Sequence, residues 1–80
     1  MPLIEFLLHH TQARELCVIT DGGWINATFF IDHEDLFTRY LHPDLHKAKV
    51  KSHHWDTLPV VDGKGNRVEI PAHFIEINTN

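Results

Sequence analysis

Apolar positions recur along this chain with two different spacings, and the spacings predict its elements. Leu3, Ile4, Leu7 and Leu8 fall at i, i+1, i+4 and i+5, one face of a helix. Pro2 suits a first turn, and the helix is expected to end near His10 and Thr11. Leu16-Cys17-Val18-Ile19 is apolar at every position, the pattern of a central strand covered on both faces, with Cys17 buried. Asp21-Gly22-Gly23 supplies residues that accept positive φ, as a tight hairpin turn requires. Trp24 to Ile31 reads as the return strand. Ile25, Ala27, Phe29 and Ile31 form its core face; Trp24, Asn26, Thr28 and Phe30 form the other.

Asp32 can then cap a helix, with Glu34 and Asp35 in the first turn, where negative charge suits the helix dipole. Leu36, Phe37, Tyr40 and Leu41 make its apolar stripe, and His42-Pro43 stops it. Asp44 to Lys47 reads as a connection of about one helical turn. Alternation returns from Lys47 to Trp55, with Ala48, Val50 and Ser52 on one side and Lys47, Lys49, Lys51, His53 and Trp55 on the other. Leu58 to Val61 and Arg67 to Ile70 flank the turn Asp62-Gly63-Lys64-Gly65-Asn66. Pro71 marks a bulge or an edge, and Phe74 to Ile77 closes the chain as a strand. The expected fold is α+β and a single domain over residues 1–80. A mostly antiparallel sheet of four to five strands carries two short helices on one face, in the order α-β-β-α-β-β.

Eighty residues bury a small share of their surface, so such a chain gains from disulfides, a metal or self-association. Cys17 is the only cysteine, which rules out a disulfide within the chain. The segment Met1-Pro2-Leu3-Ile4-Glu5-Phe6 has no basic region, and Glu5 interrupts its apolar run. Neither a signal peptide nor a transmembrane span is expected, and a cytoplasmic location is. The formal charge is −4 with the eight histidines neutral, and protonating them all would reverse the sign.

The residues that could carry chemistry have plainer roles. His42 and His46, the pairs His9-His10 and His53-His54, and Cys17 are metal-ligand types, yet they lack the paired short spacings of a structural zinc site. His33-Glu34 opens like a metalloprotease motif, but Phe37 stands where a second histidine is needed. In the turn at Asp62, Lys64 puts a cation where a calcium loop needs an oxygen. Cys17 sits in an apolar run, where a thiol is packing rather than a nucleophile. No metal, cofactor or catalytic residue is therefore expected.

Two surface readings remain. Trp24, Phe30 and Trp55 fall on faces away from the main core and make candidate partner-binding residues, for a protein or a second copy of the chain. Alternatively, Lys47, Lys49, Lys51 and Trp55 form a strand face that could follow a phosphate backbone and stack on a base. The acidic whole argues against nucleic acid, and lysines on an edge strand also discourage sheet aggregation.

The order Leu3-Ile4-Glu5-Phe6-Leu7-Leu8, Glu15-Leu16-Cys17-Val18-Ile19, a glycine turn, Ala27 to Leu36 and Ala48-Val50-Lys51-Ser52 resembles small uncharacterised proteins of phages and prophages of low-GC Gram-positive bacteria. The tail from Leu58 to Ile77 is longer than in that pattern. The resemblance implies a non-enzymatic accessory or regulatory protein, and it carries over no catalytic residue.

Overall fold

The computed structural model describes residues 1–12, 14–31 and 41–78. In chain order these form helix α1 (Leu3–His10), strands β1 (Leu16–Asp21) and β2 (Trp24–Phe30), a 3-10 helix (Pro43–Leu45), and strands β3 (Lys49–Val61) and β4 (Arg67–Asn78). The strands make one open sheet in the order β2-β1-β4-β3. Each hairpin is antiparallel, but β1 and β4 run parallel at the centre, so the sheet is mixed. The α+β class holds, while the mostly antiparallel sheet is corrected. Alternation shows which strands are apolar, and it carries no information about their direction. Leu16–Ile19 and Ala72–Ile77 are the two stretches that most need burial, and they meet in the middle.

The expected helix from Asp32 lies outside the described residues, so α1 is the one α-helix among them. Leu41, the end of that helix's expected stripe, is buried in the core. The one-turn connection appears as the 3-10 helix, where His42 Nδ1 accepts the Asp44 N–H at 3.2 Å.

The N-terminus of α1 lies against the start of β3. The Leu3 N–H donates to the Ala48 carbonyl at 2.7 Å, and the Val50 N–H to the Met1 carbonyl at 2.9 Å. One donor of the first turn, which has no partner within the helix, is thereby satisfied. So anchored, α1 buries Leu3, Phe6 and Leu7, while Leu8 is exposed, against the expected pairing of Leu7 with Leu8. These side chains pack on Cys17, Ile19, Phe29, Ile75 and Ile77 in the main core. A smaller cluster of Leu16, Val18 and Ala72 gathers Leu58, Ile70 and Phe74 around it. Successive residues of β1 thus enter two different clusters, which is why Leu16 to Ile19 is apolar without a break.

Both turns follow the sequence. Gly22 and Gly23 have φ of +62° and +87°, the conformation a two-residue hairpin loop demands. In the second turn, Asp62 Oδ1 accepts the N–H groups of Lys64 and Asn66, each at 2.9 Å. The expected face of β2 is altered by a bulge. Ala27 pairs with Ile19 and Ile25 with Thr20, leaving Asn26 unmatched. Ala27 and Phe29 stay with the core, but Ile25 is exposed.

The apolar segments read after Lys47 join into two long strands, the number that the order α-β-β-α-β-β has there. At about 3.3 Å per residue, β3 spans roughly 40 Å, comparable to the 39 Å length of the whole molecule. The prolines of β3 and β4 sit where a missing N–H does little harm. Pro59 is on β3, an edge strand, and Pro71 lies in β4 before its first pairing with β1, at His73.

Near the first turn, Glu76 on β4 accepts a hydrogen bond from the Thr20 hydroxyl. That bond holds its carboxyl below the usual range, helped by the N–H groups of Gly23 and Gly22 and by Lys51, while desolvation opposes. A carboxyl depressed in the folded state stabilises fully above its unfolded pKa, and this is lost as pH falls through the lowered folded value. Glu76→Gln should therefore lower Tm at neutral pH, with the deficit closing at acid pH. Melting curves across that range check this, and a deficit independent of pH would contradict it.

Candidate binding site

The site is built where β1 stops and β4 continues. Pairing between these strands begins at Cys17 and His73, so β4 residues before His73 have no β1 neighbour. The notch so formed is a cavity of about 630 Å³. The end of α1 and the following turn place His10, Arg14 and Glu15 around it, and the sheet contributes Phe30, Trp55 and Pro71. The turn is tightly held. The Arg14 N–H donates to the Ile31 carbonyl at 2.8 Å, and the Ile31 N–H to the Glu15 carbonyl at 2.8 Å. Arg14 has φ +69°, the one positive value outside glycine among the described residues. Non-glycine residues hold that region only where their surroundings impose it, often at binding sites.

A hydrogen-bonded chain of side chains forms the inner wall. Glu15 Oε1 is bonded to His73 Nδ1, and both side chains are buried. Glu15 Oε2 accepts the Gln12 N–H at 3.0 Å. On its far side, His73 Nε2 meets His53 Nδ1 at 3.0 Å. With a carboxylate on Nδ1, that nitrogen of His73 carries the proton. In a neutral ring Nε2 is then an acceptor, to which His53 donates. Aromatic rings clamp the chain. Trp55 stacks on His73 at 4.9 Å with 14° between planes, and Phe6 packs against His53 at 4.8 Å and His73 at 5.7 Å. The network fixes the Trp55 ring in orientation.

Cys17 lies beside this network, its Sγ 4.0 Å from Glu15 Oε1. Burial, and after it the Glu15 carboxylate, pushes the thiol pKa up to about 12. A thiol held protonated to that extent is a poor nucleophile, as its apolar setting implied. Among the described residues, no three His, Cys, Asp or Glu side chains form a group that could hold a metal ion.

Of the three candidate partner residues, two border the same cavity from opposite faces of the sheet: Phe30 lies between the core residues Phe29 and Ile31 and points away from them, and Trp55 shares the core side with His73. Phe30, paired with Leu16, and Trp55, paired with His73, both border the cavity and are more than half exposed. Trp24 pairs with Asp21 at the other end of the β1–β2 ladder, five residues or roughly 17 Å away. It is exposed but belongs to a different surface.

The lysine face is corrected by a second bulge. Lys49 pairs with Asn78 and Val50 with Ile77, but Ser52 pairs with Glu76, so Lys51 is the extra residue. Alternation inverts there. Val50 packs against the main core, and Trp55 shares its side of the sheet with His53 and His73, so Lys49 and Trp55 point to opposite faces. Lys51 interacts with the Glu76 carboxylate, and Lys47 is exposed in the turn before β3. Among the described residues, no continuous row of cations leads along β3 to Trp55.

Arg14, Glu15 and His73 carry no site reading in the sequence, and His53 enters there only as a metal-ligand type and a member of the lysine face. The available signal was a carboxylate abutting an all-apolar run, together with a histidine next to the closing strand, at a position where β4 alternates toward the core.

The fold and site define an α+β domain with an open mixed sheet and an aromatic-walled notch at one end. Compared with protein families, curated proteins and solved structures, the chain matches none. No helix among the described residues is long and apolar enough to cross a membrane.

Proposed function

We propose that this chain is a small accessory or regulatory protein of phage or prophage origin, acting in the cytoplasm by binding another protein rather than by catalysis. The observation that supports this is that Phe30 and Trp55, both more than half exposed, border one cavity. Large aromatics beside a concave surface are what protein interfaces use as anchors. A second copy of the chain is the other partner the same surface could take. The nucleic-acid reading loses its main support, because the bulge at Lys51 separates Lys49 from Trp55.

The test is capture from a bacterial lysate by three proteins: the wild type, a Phe30→Ala/Trp55→Ala double variant and Trp24→Ala. Each should first be shown to be folded by circular dichroism. A partner retained after nuclease treatment, kept by Trp24→Ala and lost by the double variant is the expected result. Anchors of this kind are each worth about 2 kcal/mol or more, enough for a loss of roughly thirtyfold or greater. Retention by the double variant would place the interface elsewhere, and loss on nuclease treatment would restore nucleic acid as the partner. If sedimentation shows a wild-type dimer that the double variant abolishes, the partner is the chain itself.

A further inference from the structure

The chemistry of the cavity specifies what enters it. We infer that it receives a planar aromatic ring with a carboxylate close beside it, presented by the protein partner. This rests on the partner-binding reading above.

Size comes first. A volume of about 630 Å³ lies within the roughly 300–1,000 Å³ of sites that enclose small ligands, so one ring and its substituents fit. Stacking comes second. One face of Trp55 lies on His73, and the residue is still 58% exposed and borders the cavity. An incoming ring can extend that stack, and Phe30 borders the cavity from the other face of the sheet. The Trp55 platform is already ordered, because His73 is bonded to both Glu15 and His53, so little side-chain freedom is lost on binding.

Charge comes third. Among the described residues, Glu15 is the only acidic one lining the cavity, and both of its oxygens are engaged, one with His73 and the other with the Gln12 N–H. Arg14 supplies a permanent positive charge at the same lining, with His10 nearby, on a turn whose backbone is pinned to Ile31. An arginine lining the same cavity as an aromatic platform suits a carboxylate attached to a ring, since a guanidinium can pair with the anion in two parallel hydrogen bonds. The net charge of −4 gives no long-range attraction for anions, so this preference is local to Arg14.

The probe is N-acetyl-L-tryptophan, which carries an indole and a carboxylate, set against its neutral amide. Both are titrated into the full chain, following backbone amide signals by NMR. In the wild type, signals of Glu15, Phe30 and Trp55 should shift, with the acid binding about tenfold more tightly than the amide. Arg14→Gln should remove the difference between the two probes, Trp55→Ala should lose both, and Trp24→Ala should behave as wild type.

Equal binding of acid and amide by the wild type would overturn the carboxylate. Unmoved signals at Glu15, Phe30 and Trp55 would overturn the ring. If no probe binds while the Phe30→Ala/Trp55→Ala variant still loses its protein partner, the ring and carboxylate fall and the partner surface stands. If the probe binds but that variant keeps its partner, the surface falls, and with it the claim that the partner supplies the ring.

Discussion

Glu15→Ala is expected to destabilise the protein by about 3 kcal/mol, read from urea unfolding at neutral pH. The Glu15 and His73 side chains are only 7% and 4% exposed, so solvent cannot replace the lost carboxylate. His73 Nδ1 would be left buried without its partner, and such an orphaned group costs far more than the original bond contributed. The loss would spread, because His73 also holds His53 and carries the stacked Trp55. Trp55 fluorescence should accordingly change in the folded variant. A companion double variant, Glu15→Leu/His73→Phe, removes both polar partners, and filling a buried polar pair with apolar groups is often close to neutral. It should be clearly more stable than Glu15→Ala. A single-variant cost below about 1 kcal/mol would show that the pair does not support the wall of the cavity, as would a double variant no better than the single.

That network shows where the sequence stops being legible. Local elements could be read because each leaves a local signature. The unbroken apolar run Leu16–Ile19 marked the central strand, Gly22-Gly23 and Asp62 to Asn66 marked both hairpin turns, and α1 ended where expected. What could not be read depends on contacts between residues distant in sequence. Two bulges, at Asn26 and Lys51, shift the phase of a strand by one residue and turn every later side chain to the other face. Neither Asn26 nor Lys51 is a glycine or proline that would announce such a break. The parallel pairing of β1 with β4 and the meeting of Glu15 with His73, 58 residues apart, belong to the same class of fact. Of the candidate site, the exposure of Phe30, Trp55 and Trp24 was legible. The division of these three between two surfaces was not, because it follows from the ladder register.

The same register predicts a sharp contrast in stability along β4 and its partner. Ile75 is fully buried where all four strands overlap, paired with Ile19 on one side and His53 on the other. Ile75→Ala should cost about 2–5 kcal/mol, the combined effect of lost burial and a cavity that close neighbours cannot fill. A folded chain of this size has only about 5–15 kcal/mol in total, so the substitution should bring it near to unfolding. Val61 lies at the far end of the same hairpin and is 71% exposed. Val61→Ala should change stability by no more than about 0.5 kcal/mol. Between them runs the portion of the β3–β4 hairpin that β1 does not reach, from Leu58 to Ile70, and a two-stranded ribbon is marginal by itself. Hydrogen exchange should therefore be slow at Cys17, Ile19 and Ile75 and markedly faster at Val60 and Val68, whose strands pair only with each other there. Equal protection at Val60 and Ile75 would mean that the hairpin end is covered in solution, as self-association would do. A cost for Ile75→Ala below about 1 kcal/mol would contradict the central place of β4 in the sheet.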